Sequence, residues 1–111
     1  MSFEQRIPHP FTANGIRTYA AAAPGVYGLS NSREWIYVGQ SDDIQNALLE
    51  HLRALDTAVL NWSPTGFVFE TCEGDLRRVR QRALVLEYAP ICNDAAARRD
   101  ESALRKRLHA R

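Results

Sequence analysis

The chain has 111 residues, 45% of them hydrophobic and 24% charged, with a net charge of +1. These values suit one globular domain that buries roughly two thirds of its unfolded surface. No apolar run approaches the roughly 20 residues of a membrane span. The opening MSFEQRIPHPF lacks the apolar stretch of a secretory leader, so a cytoplasmic protein with no membrane partner is expected.

Residues 1–23 read as an irregular segment, since Pro8 and Pro10 fix extended backbone and Pro24 stops any turn that the alanines begin. Next comes GVYGLSNSREWIYVGQ, residues 25–40, with β-branched and aromatic residues at both ends and polar turn chemistry at Asn31–Glu34. That pattern predicts an antiparallel hairpin, and alternation lets Tyr27 and Tyr37 share a face. Ser41 or Asp42 is then placed to cap a helix whose apolar residues fall at Ile44, Ala47, Leu48, Leu52 and Leu55, with His51 at its edge.

A loop at NWSPTG leads to the alternating FVFETC, residues 67–72, which predicts a third strand. Gly74-Asp75 opens a second helix with Leu76, Val79, Ala83, Leu84 and Leu86 or Glu87 on successive turns, closed by Pro90. Residues 94–111 form a basic tail with helix propensity, anchored at most by Leu104 and Leu108. The order predicts a single α/β layer, a small sheet covered by helices.

Two further patterns bear on function. Cys72 and Cys92 have no histidine or second cysteine at ligand spacing, so reduced thiols are expected rather than a disulfide or a metal centre. Charge is segregated: residues 1–76 carry 4 basic and 9 acidic side chains, and residues 77–111 carry 10 and 4. Arg77, Arg78, Arg80 and Arg82 are the dense part of the basic half and the candidate nucleic-acid contacts, unless they only solvate their helix.

The triplets Gly25-Val26-Tyr27 and Tyr37-Val38-Gly39, the stretch QSDDIQNALLEHL ending in His51, and the closing Pro90-x-x-Asn93 together resemble the GIY-YIG nuclease family. The resemblance spans residues 24–93 and implies a three-stranded antiparallel sheet flanked by helices. It also implies a site in which two tyrosines, an arginine and a glutamate cut a phosphodiester bond. The tyrosine relays the proton of the attacking water, arginine offsets the charge on the phosphate, and glutamate holds a divalent metal ion.

Carried onto this chain, the resemblance assigns Tyr27, Tyr37 and His51 to the catalytic face. It puts Ala47 in the arginine slot and Gln81 in the glutamate slot. Both charged groups acting on the phosphate are thereby absent, which implies a degenerate endonuclease that binds no metal and retains at most nucleic-acid or phosphate binding. Two alternatives remain: an active Mg²⁺- or Mn²⁺-dependent DNA endonuclease with a rearranged site, and a protein-interaction module that engages a partner or a second copy. The five residues are expected to line one shallow concavity. Read without the glycines that frame them, the two tyrosines are equally those of an ordinary half-buried sheet.

Overall fold

The computed structural model describes residues 2–5, 7–53 and 57–93. The expectations for Leu55 and for residues 94–111 lie outside the described residues. The elements are β1 (His9–Pro10), α1 (Ala13–Tyr19), β2 (Gly25–Ser30), β3 (Trp35–Ser41), α2 (Ile44–Arg53), α3 (Thr57–Leu60), β4 (Gly66–Thr71) and α4 (Asp75–Tyr88). The sheet is antiparallel throughout, in the order β1-β4-β2-β3.

Four strands rather than three make this sheet, because His9 and Pro10 pair with Phe67 and Gly66. The N-terminal segment is also not irregular. Thr12 caps α1 by accepting the Gly15 N–H at 2.9 Å, and the helix ends at Tyr19, with the first residue of the alanine run, Ala20, as its C-cap. Threonine ahead of a turn of helix is a capping signal, but the central glycine and the neighbouring prolines mask it. Ile16 from α1 and Phe3 and Phe11 from the same segment are buried in the core.

β2 is the central strand and all six of its residues are buried. It pairs with β3 through Tyr27↔Gly39 and Leu29↔Tyr37, after which Ser30 faces Trp35. Ile36 is thus an extra residue in β3, a bulge that returns both it and Tyr37 toward the side occupied by Leu29. The hairpin turn is closed by Asn31, whose side-chain oxygen accepts the N–H groups of Arg33 and Glu34, each at 2.8 Å.

The two sheet faces carry separate cores. Tyr27, Leu29, Ile36 and Phe67 pack with Ile16 of α1 and with Ile44 and Leu48 of α2. Val26, Val38 and Val68 pack with Phe3 and with Leu84 of α4. The expected helical face of α2 is present, but its cap is Asp43, which accepts the Asn46 N–H at 3.0 Å. Ser41 instead braces Asp43 from outside the helix.

α4 departs further from its sequence pattern. Only Leu84 is fully inside, while Leu76, Val79 and Leu86 are exposed. The helix meets the sheet through Gln81, Leu84, Val85 and Tyr88 instead, and the Tyr88 ring stacks on Phe3 and meets Trp35 at a tilt. It ends where Ala89 takes a left-handed conformation (φ 47°) before the buried Pro90. Cys72 and Cys92 are not joined in a disulfide. Among the described residues no helix is long and apolar enough to cross a membrane.

Candidate functional site

The tyrosines of the two triplets lie on one face because β2 and β3 pair in the register that sets Tyr27 beside Gly39. The reason for the glycine is steric. A Cβ at Gly39 would lie 2.5 Å from the Tyr27 hydroxyl oxygen and 2.7 Å from Cε2 of Tyr37. The Tyr27 ring therefore lies flat across the backbone of its partner strand, and only glycine leaves room for it.

From above, α2 presents His51 to both rings. Its Nε2 sits 2.8 Å from the Tyr27 hydroxyl, and its ring centroid is 5.6 Å from Tyr27 and 5.3 Å from Tyr37. The two tyrosine rings are 6.2 Å apart. Tyr27 is 3% exposed, whereas Tyr37 and His51 are half-buried at the mouth.

Burial, and to a lesser degree Tyr37 and the Glu50 carboxylate, push the Tyr27 phenol well above its ordinary value. It is a neutral phenol at physiological pH and not a standing base. Its hydrogen bond to His51 can carry a proton in either direction. The phenol donates when Nε2 is bare, and Nε2–H donates when the imidazole is protonated there.

Ala47 lies one turn before His51 and packs against the same apolar cluster. Gln81 arrives differently. Its helix covers the opposite face of the sheet, not the tyrosine face, and its amide reaches the outer edge of β3, where Nε2 donates to the Val38 carbonyl at 3.1 Å. Asn93 completes that edge. It accepts the Val38 N–H at 2.7 Å and donates to the same carbonyl at 2.9 Å, while the neighbouring Cys92 enters the tyrosine-side core. The structure thus brings Tyr27, Tyr37 and His51 into mutual contact, with Ala47 beside them. Gln81 meets the backbone one residue from Tyr37, from the far side of the strand.

The four arginines do not act together. Arg80 grips the Glu70 carboxylate with Nε at 2.7 Å and a terminal nitrogen at 2.9 Å, and it also donates to the Ser2 carbonyl. Arg78 and Arg82 are exposed one turn apart, and Arg77 is half-buried with no hydrogen-bond partner for its Nε among the described residues. Two features escape sequence reasoning. Glu70 reads there only as part of the alternating strand FVFETC, and Asn93 only as the end of the closing motif; the groups that become their partners, the Arg80 guanidinium and the Val38 backbone, lie on elements distant in sequence.

Among solved structures the chain is similar to the GIY-YIG N-terminal endonuclease domain of UvrC from Thermotoga maritima bound to magnesium. The two share 22% identity and a TM-score of 0.58, over 68% of this chain and 91% of that one. The chain has a GIY-YIG-like fold.

Tyrosine and asparagine point mutants of the same UvrC domain, bound to its catalytic divalent cation, give the same TM-score at 21% and 22% identity. No family model matches the chain, and no curated protein does. The GIY-YIG-like fold accounts for the antiparallel hairpin and the helices that flank the sheet. Among the described residues no group of three or more His, Cys, Asp or Glu side chains could hold a metal ion.

Proposed function

We propose that this chain is a GIY-YIG endonuclease-like protein of the cytoplasm whose capacity to cut is impaired and whose remaining activity is binding of nucleic acid or phosphate. The observation that carries this reading is the use of Gln81. A metal-binding carboxylate is required in that slot by resemblance to the family, and here a neutral amide donates its N–H to a backbone carbonyl. A hard divalent cation prefers charged oxygen donors. An engaged amide and two phenols, one of them buried and neutral, do not fit it, so no step is derived through a metal.

Ala47, in the arginine slot, offers a phosphate only a methyl group. Each lost preorganised charge typically costs about 10²–10³ in rate, and together the two bring turnover near background. Tyr27 and His51 keep a proton-relay geometry with nothing beside them to stabilise the developing phosphate charge. Binding falls to Arg78 and Arg82 on the surface, with Arg77 behind them. Two or three such contacts predict a log–log salt slope of about −2 to −3.

The test has two arms. Fluorescence anisotropy against short duplex and single-stranded DNA is expected to show binding at low salt that weakens along that slope, and a flat signal removes nucleic acid as the ligand. Plasmid incubated with Mg²⁺ or Mn²⁺ is expected to remain intact. Metal-dependent nicking that disappears in Tyr27→Phe would overturn the impaired reading in favour of an active, rearranged nuclease.

A further inference from the structure

The donor set that does not fit a divalent cation still leaves a chain of proton-transfer groups. In phosphodiester hydrolysis a metal ion generates a nucleophile from water, positions it, and offsets charge on the phosphate and the leaving oxygen. Ala47 and Gln81 supply none of this. RNA needs less of it, because its own 2′-hydroxyl lies beside the scissile phosphate. An intramolecular nucleophile reaches effective molarities of about 10⁵–10⁸ M, so no activated water and no ion to place it are required. What is left to catalyse is the loss of one proton from the 2′-oxygen and the gain of one by the 5′-oxygen.

Tyr27, His51 and Tyr37 are of the types that those two transfers call for. Tyr27 and His51 meet at 2.8 Å, and the contact is built in, with the Tyr27 ring lying on Gly39 and α2 carrying His51 above it. A proton that reaches the Tyr27 oxygen can pass on to Nε2 as the phenol gives up its own. Neutral imidazole is the side chain best matched to accept a proton at neutral pH. Tyr37 stands beside the imidazole, its ring centroid 5.3 Å from His51 and 6.2 Å from Tyr27, and it is half-buried rather than sealed. A phenol is a far stronger acid than the alcohol that departs, so it suits protonation of the leaving oxygen. Because Tyr27 is only 3% exposed, an unpaired nucleotide splayed out of its strand fits the approach to its hydroxyl, and a rigid duplex does not.

We propose that the tyrosine–histidine site is a metal-independent ribonuclease centre, cleaving single-stranded RNA by internal transphosphorylation. This rests on the reading that metal-assisted cutting is lost, and it assigns what the surviving groups do. The 2′-oxygen attacks the adjacent phosphorus as its proton passes to Tyr27 and the Tyr27 proton passes to Nε2 of His51. The bond from phosphorus to the 5′-oxygen breaks, and that oxygen takes the Tyr37 proton. The products are a 2′,3′-cyclic phosphate and a 5′-hydroxyl. The imidazolium and the Tyr37 phenolate then neutralise each other by proton transfer. No water, metal ion or other reactant enters the balance.

The test incubates the full chain, in excess and with EDTA, with an unpaired DNA oligonucleotide that carries one ribonucleotide. Cleavage is expected at the ribonucleotide alone, about 10²–10⁴-fold above the rate without protein, and mass spectrometry should find 2′,3′-cyclic phosphate and 5′-hydroxyl ends. Tyr27→Phe, Tyr37→Phe and His51→Ala, purified identically and with circular dichroism spectra matching the wild type, should each lose most of that gain. A 2′-O-methyl nucleotide at the same position should stop the reaction in the wild type itself, a control that no folding defect affects. An intact ribonucleotide strand overturns the proposal and leaves the impaired reading in place. Cleavage that is equal in the wild type and the three variants belongs to another enzyme and also overturns it. Cutting of the all-deoxy strand in Mg²⁺, lost in Tyr27→Phe, overturns the impaired reading and with it the ground of this proposal.

Discussion

At the scale of single residues, the fold is built around the contact between Tyr27 and Gly39. Because the Tyr27 ring occupies the space above Gly39, Gly39→Ala forces a buried aromatic to move. It should cost about 1–3 kcal/mol, as overpacking in a core does. The loss should be much smaller in a Tyr27→Leu background, and chemical denaturation of the four members of that cycle checks the coupling. Tyr27 also sets an alkaline limit. Its pKa is raised in the folded state, so its contribution to stability is complete below the unfolded value near 10 and is lost as pH rises above it. We expect stability to fall above that pH by up to about 1.4 kcal/mol per unit for this one proton, and the Tyr27→Phe variant to lack that part of the slope. Tyr27 should resist ionisation in an ultraviolet titration of the folded protein.

At the scale of elements, β3 is one of the two edge strands of the sheet, and at Val38 its outer edge is closed by side chains rather than by another strand. Asn93 and Gln81 both bind the backbone of Val38. Asn93→Ala leaves the Val38 N–H without its acceptor and the Val38 carbonyl with Gln81 alone, and should cost about 1–3 kcal/mol. Amide exchange should accelerate at Val38 while the β2–β3 ladder stays protected; equal acceleration across the hairpin would argue against a local clamp. Gln81→Glu removes a donor and sets a carboxylate against a carbonyl, so restoring the charge of the family slot should itself destabilise the protein at neutral pH. A thermal melt of Gln81→Glu with and without Mg²⁺ measures that cost, and shows whether the ion offsets it.

The hairpin, α2, β4 and the span of α4 were legible in the sequence because each is a run with one dominant periodicity and a recognisable turn or cap. α1 was not, since its cap stands between prolines and its centre holds a glycine. The inward face of α4 was not legible either. Its aliphatic pattern is real but points outward, so periodicity found the helix and misassigned its buried side. Of the candidate site, alternation let Tyr27 and Tyr37 share a face and helical spacing put His51 at the edge of α2, but only the resemblance to the family joined the three. The route of Gln81 around the sheet edge depends on which face α4 covers, and no local pattern encodes that.

At the scale of the whole molecule, the sheet is a partition with an aromatic and imidazole site on one side and, on the other, a helix whose outer Leu76, Val79 and Leu86 are exposed among the described residues. The N-terminal segment joins the two halves. Phe3 stacks on Trp35 and Tyr88 beneath α4, and its N–H donates to the Tyr88 hydroxyl at 3.0 Å. Further along, His9 pairs with β4 and stacks on Tyr19, whose helix lies on the tyrosine side. Phe3→Ala should therefore lower stability by about 3–5 kcal/mol, as loss of a buried phenylalanine does. A single cooperative transition in that variant, monitored at both the Trp35 and tyrosine sides, would show that residues 2–23 are integral to the unit that begins to look familiar only at Pro24.

The packing of Tyr27 on Gly39 has a consequence for what a sequence signature is evidence of. Those two residues cannot be exchanged one at a time without disturbing the core. Position 47, at the half-buried rim of the site, and position 81, at the strand edge, are under weaker steric restraint. Drift along a lineage can therefore alter the chemistry of such a site by single steps while the tyrosine–glycine triplets persist. The triplets that make the chain recognisable testify to a shared architecture, and turnover has to be judged at the positions that the triplets do not contain.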